Sequence, residues 1–429
     1  MKSNKFWTPI NKVLVVATLG LLVLVLVAEA GAASQYKVLH KFTGTDGKYP
    51  EDALLIFDAV GNLYGTTATG GAHGNGNVFE LTPNSDGSWT ESVLYSFAGG
   101  HDPSDVRAEV IFGAEGNLYA TSVSGGDYGE GTIFKLTSNS DGTWSESVIH
   151  SFTGGSDGAW AIGGVIIDAA GNLYGTTGLG GAWGGGVVFK LTPSSDGTWT
   201  ESVLHSFTST EGGYLDHGSL IFDTAGNLYG ETSHFLWGPG QGTIFELMPN
   251  ADGSWTEKVL HRFHGGKDGA LPESTLTFDT AGNLYGTTAY GGGGSCSGYG
   301  DYTGCGTVFK LMPNSDGTWT ETVLHRFHGD KDGAVPFAGL VFDTAGNLYG
   351  TTTQGGGGPC TLDSPGCGTV FKLTPNSNGG WTEQVLHRFQ GKPAGAPFGE
   401  VVFDSLGNIY GIASGEGTNG AGAVFEITP

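Results

Sequence analysis

Gly339-Leu-Val-Phe-Asp-Thr-Ala-Gly-Asn-Leu-Tyr-Gly-Thr-Thr352 is the stretch whose reading decides the fold. A short apolar run ends at Asp343, and a turn carries Gly346 and Asn347, both able to take positive φ. A second apolar run then begins at Leu348, so the stretch reads as a hairpin. Downstream, Gly368-Thr-Val-Phe-Lys-Leu373 reads as a third strand. After a turn over 375–380, Trp381-Thr-Glu-Gln-Val-Leu-His-Arg-Phe389 alternates as an amphipathic edge strand does. No part of the unit has helical periodicity. Leu340 and Phe342 point one way and Val341 the other, which suits an inner strand packed between two neighbours.

The asparagine of this phrase returns at Asn62, Asn117, Asn172, Asn227, Asn283, Asn347 and Asn408, in steps of 55, 55, 55, 56, 64 and 61 residues. A unit of this size cannot bury its own apolar surface, so its neighbours must. Seven units of four antiparallel strands predict an all-β fold, a seven-bladed β-propeller over residues 34–429. The chain ends on a third strand, Val424-Phe-Glu-Ile-Thr-Pro429. It begins, after residue 33, with a fourth, Tyr36-Lys-Val-Leu-His-Lys-Phe42. Joined, the two complete the last blade and remove the exposed edges of an open array.

Three phrases, Gly-Asn-Leu-Tyr-Gly-Thr-Thr, Gly-Thr-Val-Phe-Lys-Leu and Trp-Thr-Glu-x-Val-Leu-His-x-Phe, resemble the GloVer-type (Gloeo-Verruco) tandem repeat across residues 36–429. The resemblance implies an exported bacterial propeller, and the family carries varied surface anchors and no settled biochemical role. It supplies no catalytic residues. Nothing follows Pro429, so free secretion is the expectation. Asn314-Ser-Asp-Gly-Thr-Trp319 is similar to the Asp-box turn of sialidases, with the spacing off at two places. That box is a structural turn and implies no activity.

Residues 1–33 read as a signal peptide. Lys2, Lys5 and Lys12 precede an apolar run from Val13 to Ala28, and small residues follow. The alternative is a retained anchor. The formal charge is −24, a surface that repels nucleic acid and polyanions. Neutral ligands or cations fit better. The four cysteines fall in the two lengthened repeats as Cys296/Cys305 and Cys360/Cys367. In an exported protein they read as loop-clamping disulfides.

Residues present in every copy hold the scaffold, and function is sought where copies differ. This assigns His40, His150, His205, His261, His325 and His387 to structure, together with Trp89, Trp144, Trp199, Trp255, Trp319 and Trp381. The turn aspartates Asp58, Asp168, Asp223, Asp279, Asp343 and Asp404 join them, with Gly113 breaking that series. The loops from the second to the third strand and from the fourth to the next first strand emerge at one end of a propeller. Trp160, Trp183, Tyr214, Phe235 and Trp237 fall in them, as flat rings suited to stacking on sugars. The other reading of these rings is loop packing or protein contact.

Counting six and four residues back from the turn position gives Asp52, Arg107, His217, Glu273, Phe337 and Phe398, and then Glu109 and Glu400, among others. These share a strand face and line the channel mouth. Carboxylates there could act as acid and base, as glycoside hydrolysis requires, or hold Ca²⁺, with no cofactor required. Arg107 is expected to neutralise Asp52, Glu109 or Glu400.

The sequence has no Gly-x-Ser-x-Gly, His-Glu-x-x-His or phosphate-loop signature. The reading is a secreted, monomeric propeller that binds a neutral polysaccharide or oligosaccharide. The alternatives are a glycoside hydrolase using Glu109, Glu400, Glu273 or Asp52, and a platform for an extracellular protein. No membrane contact is expected after signal cleavage.

Overall fold

Every blade but the second is held at its first turn by one carboxylate. Asp58 accepts from the backbone N–H of Val60 and Asn62 and from Asn62 Nδ2, each at 2.9 Å. Asp168, Asp223, Asp279, Asp343 and Asp404 repeat the bond to the backbone four residues on. Blade 2 shows why Gly113 breaks the series. A Cβ there would meet the Tyr119 ring at 2.3 Å, so that ring fills the space, and Asn117 Nδ2 closes the turn on Ala114 O.

The computed structural model describes residues 34–429 apart from 52–53, 209, 216, 234–239, 297–301, 358–366, 392–394 and 415–419. Seven four-stranded antiparallel sheets form the blades. Blade 1 runs outward as Ile56–Phe57, Leu63–Thr67, Asn77–Pro83 and Trp89–Ser96. Among the described residues there is no α-helix, only the 3₁₀ turn Ala114–Gly116. In each blade the register between the third and outer strands shifts by one residue, as at Val78/Phe79, a bulge that re-aims the residues after it.

The core divides into seven clusters, one at each junction between neighbouring blades. Every junction has the same pair of phenylalanines, one after an outer strand and one on the third strand of the next blade. Phe42–Phe79, Phe97–Phe134, Phe152–Phe189, Phe207–Phe245, Phe263–Phe309, Phe327–Phe371 and Phe389–Phe425 have ring centroids 4.9–5.3 Å apart. The glycine of Leu-Tyr-Gly lies beneath the second ring: a Cβ on Gly65 would sit 2.6 Å from Phe79 Cζ. Inner strands alternate between junctions as their pattern predicts. Phe403 packs in the blade 6/7 cluster and Val402 in the blade 7/1 cluster.

Blade 7 draws on both ends of the chain. Gln35–Lys41 pairs antiparallel with Ala423–Thr428, and Tyr36 stacks on His387 of blade 6 at 3.9 Å between centroids. The variable loops do share one end, as the ribbon between Pro103–Ser104 and Ser124–Gly125 shows. There, each loop between blades carries one non-glycine residue at positive φ: Tyr49, Asp105, Trp160, Tyr214, Leu271, Val335 or Ala396. Its C=O accepts from its own blade, and for all but Asp105 its N–H donates to the preceding blade. Trp160 N donates to Glu130 O and Gly178 N donates to Trp160 O, both at 2.9 Å. The backbone strain of a left-handed residue is thereby held by bonds on both sides.

Deleting residues 34–43 strips the fully buried Phe42 from its junction and frees the edge of Ala423–Thr428. Losing a buried Phe costs roughly 3–5 kcal/mol, so the thermal midpoint should fall by roughly 4–6 °C. An unchanged midpoint in calorimetry would place this strand outside the cooperative fold.

Candidate functional site

The entries to the inner strands converge on the axis. Residues six, five and four back from the turns line one depression: His217, Glu273, Ser274, Thr275, Phe337, Phe398 and Glu400. The Phe337 and Phe398 rings lie 5.6 Å apart, and His217 lies 6.1 Å from Phe337. Below them a hydrogen-bonded set crosses the throat. Ser219 Oγ donates to Glu109 Oε1 (2.9 Å) and accepts from Gly164 N (3.0 Å), and Ser219 N donates to Thr275 Oγ1 (3.3 Å). Thr275 and the Gly339 N–H in turn donate to Glu400.

Burial sets the ionisation of this throat. It pushes the Glu400 carboxyl up to about 8, with help from the Glu109 charge and against the donors Thr275 and Gly339. It raises Glu109 above the usual carboxylate range. Glu231, buried, is raised well above it, first by burial and further by Glu273 and Glu400. The free volume of the depression is only ≈ 20 Å³, against roughly 300–1,000 Å³ for ordinary small-molecule pockets. A sugar ring does not enter it in this conformation. A ligand would lie across the rim.

The rim is asymmetric because the seven left-handed positions hold different residues. Tyr49 and Trp160 are 36% and 40% exposed, and Tyr214 is half-buried. Across the ring, Leu271 and Val335 are buried beneath the lengthened loop of blade 5, packed with Cys305 and half-buried Cys296 and Tyr302. Trp183 stands 70% exposed on the second-to-third-strand loop of blade 3. A wider groove of ≈ 500 Å³ lies at the opposite end, lined by Phe57, Trp89, Phe403 and Tyr410 among others. Trp89 and Tyr410 there occupy repeat positions that hold the blades together.

The structure thus brings Glu109, Glu273, Glu400, His217, Phe337 and Phe398 to one throat, with Trp160 and Tyr214 in the loops around it. Arg107 pairs with Asp105 (2.9 and 3.1 Å) and approaches Glu51 at 3.9 Å, partners that the sequence reading did not name. Asp52, Phe235, Trp237 and Cys360 lie outside the described residues. Cys296 and Cys305 form a disulfide, and Cys367 is disulfide-bonded. The sequence reading missed Glu231, although Leu228-Tyr-Gly-Glu-Thr232 departs from the Leu-Tyr-Gly-Thr-Thr of other copies. In four other blades the threonine at that place (Thr66, Thr121, Thr287 or Thr351) donates to the next blade, as Thr121 Oγ1 does to Gly163 O, whereas Thr176 Oγ1 has no partner among the described residues. Glu231 instead accepts from Ser274 N at 2.8 Å. Tyr49 was also missed, its signal being alignment with Trp160 and Tyr214.

The sequence profile of the Gloeobacter/Verrucomicrobia repeat matches residues 84–302 and 294–429. None of the curated proteins matches this chain in sequence. Among solved structures, PorZ is similar at 15% identity and a TM-score of 0.51; it is an essential surface component of the type-IX secretion system of Porphyromonas gingivalis. The match covers 91% of this chain and 47% of PorZ, so the chain spans about half of that protein's length. A PL25 ulvan lyase, a polysaccharide lyase, is similar at 10% identity and a TM-score of 0.50, over 91% of this chain and 95% of the lyase. Both likenesses are likenesses of fold.

Because Glu400 binds its proton more tightly folded than unfolded, its burial costs stability progressively as pH rises from about 4.5 towards 8. Glu400→Gln should therefore raise the thermal midpoint at pH 8 and change it little at pH 4.5. Equal shifts at both pH values in thermal melts would overturn this assignment.

Proposed function

Because the chain belongs to the Gloeobacter/Verrucomicrobia repeat family, whose repeats here close into a propeller, we propose that it is an extracellular binding protein for a neutral glycan. The observation that carries this reading is the half-ring of aromatic side chains, Tyr49, Trp160, Tyr214 and Trp183, around a throat too narrow to admit a sugar. Flat rings on a rim offer stacking faces to a polysaccharide lying across them. Phe235 and Trp237 belong to the same set by sequence, and His217, Phe337, Phe398 and Arg107 supply the inner contacts.

Charge selects the class of sugar. The ulvan lyase is a complex with a sulfated, glucuronate-bearing polymer, whereas a chain of net charge −24 repels such a polyanion. Neutral polysaccharide fits. Export through cleavage of residues 1–33 agrees with the Cys296–Cys305 disulfide and with the surface location of PorZ. The protein acts as a monomer, and Ca²⁺ at the throat carboxylates would assist rather than create the site.

A second reading, glycoside hydrolysis, has one observation in its favour: Glu400, pushed up to about 8, stays protonated at neutral pH as a general acid must. The narrow throat and the hydrogen bond fixing Glu109 weigh against it.

Glycan-array and calorimetric titration of wild type, Trp160→Ala, Trp183→Ala and Tyr49→Ala should show affinity falling about tenfold per lost ring, the equivalent of 1.4 kcal/mol. Glu400→Gln should retain binding. Absence of any neutral-glycan signal, or affinity unchanged in all three aromatic variants, would overturn the proposal. Sugar release by wild type that Glu400→Gln abolishes would replace it with the hydrolase.

A further inference from the structure

Away from the throat, three side chains meet at the outer edge of the junction between blades 7 and 1. His40 sits on the closing strand Gln35–Lys41, Asp46 on the loop after it, and Glu91 on the outer strand Trp89–Ser96 of blade 1. One donor atom of each lies within 4.8 Å of the other two. His40 Nε2 and Asp46 Oδ2 are 3.1 Å apart, close to the edge, about 3.3 Å, of a tetrahedron with bonds of ~2.0 Å to its centre.

Glu91 Oε1 is shut off from solvent and has no hydrogen-bond partner. A buried carboxylate oxygen left so is costly, and a cation at the centre of the triad would satisfy it. The rest of the triad is arranged to receive one. Thr43 donates its N–H and hydroxyl to Asp46 Oδ1 (2.7 and 2.8 Å), which fixes that carboxylate with Oδ2 at the imidazole.

The geometry points to a divalent-cation site formed by His40, Asp46 and Glu91, which fixes the closing strand onto blade 1. One imidazole and two carboxylates favour a first-row cation such as Zn²⁺ over Ca²⁺, which takes six to eight oxygens.

The repeat supplies its own comparisons. At the junctions carrying His150, His205 and His325, the imidazole Nε2 lies 3.7, 3.7 and 3.8 Å from its acid, Asp157, Glu211 or Asp332. There both Nε2 and the outer-strand glutamate oxygen of Glu201, Glu257 or Glu383 lack partners. These are wider, weaker versions of the site. Two junctions lack the ligand set. Tyr95 replaces the histidine and donates to Asp102 at 3.3 Å, and Tyr36 stands in the glutamate's place, stacked on His387.

The test is calorimetric titration of the chelator-treated full chain with Zn²⁺, together with thermal melts. Wild type should show one tightest site and a rise of several degrees in midpoint, and Ca²⁺ should leave the midpoint unchanged. His40→Asn and Glu91→Gln should each weaken that site at least tenfold and remove the thermal rise. Glu146→Gln, at the junction with Tyr95, and the double variant His73→Ala/His101→Ala, which removes exposed surface imidazoles, should keep both. Should Glu91→Gln fail to fold, His40→Asn decides alone. The proposal is overturned by no thermal response to Zn²⁺, by Zn²⁺ binding undiminished in the triad variants, or by loss of the tight site in the surface-histidine variant. A Ca²⁺-driven rise that disappears in His40→Asn would overturn the choice of cation.

Discussion

One aromatic contact, repeated at every junction, governs this protein. A phenylalanine leaving each outer strand meets a phenylalanine on the third strand of the next blade, seven times around the ring. Edge-on pairs of this kind contribute about 0.5–1.5 kcal/mol each beyond the area they bury. They leave little room on the strand beneath the second ring, which is the physical reason for glycine in Leu-Tyr-Gly. In blade 2, Ala120 takes that place beside Phe134, so the repeat tolerates one methyl. Because each blade buries both faces against neighbours, no blade is complete by itself, and the ring must close.

Closure then creates the regions where copies can differ without cost to the core. The left-handed residue of each interblade loop, Asp105 apart, has its backbone bonded on both sides, so its side chain is free to vary. In the arc of blades 1 to 4 it is tyrosine or tryptophan at three places, with Asp105 at the fourth. In the arc of blades 5 and 6 it is leucine or valine beneath a disulfide-bearing loop. The same scaffold therefore presents an open aromatic rim on one side and a capped surface on the other. In the throat, by contrast, variation brings carboxylates together. Glu109, Glu231, Glu273 and Glu400 come from four blades into one poorly solvated space, and burial there raises the proton affinities of Glu109, Glu231 and Glu400.

The repeated histidines show that structural and functional readings of one position need not exclude each other. His150, His205, His261 and His325 pack edge-on against the phenylalanine two residues on, as His40 does against Phe42. That contact accounts for their recurrence. What differs among junctions is how closely the imidazole approaches the two acids, and that distance depends on loop conformation.

The sequence alone determined the period, the four strands of each blade, the carboxylate at six of the seven first turns and the completion of the last blade by the N-terminal strand. These follow from local spacing and alternation, which a single repeat displays. It also placed residues four and six back from the turns on one shared face, because side chains alternate along a strand. Only the tertiary structure decided what meets there. The Ser219–Glu109 bond joins residues 110 positions apart, Arg107 finds Asp105 within its own loop, and Glu231 becomes legible only once Ser274 is seen to donate to it. Contacts between blades depend on loop conformation and on the diameter of the ring, and neither is encoded in the spacing of any one repeat.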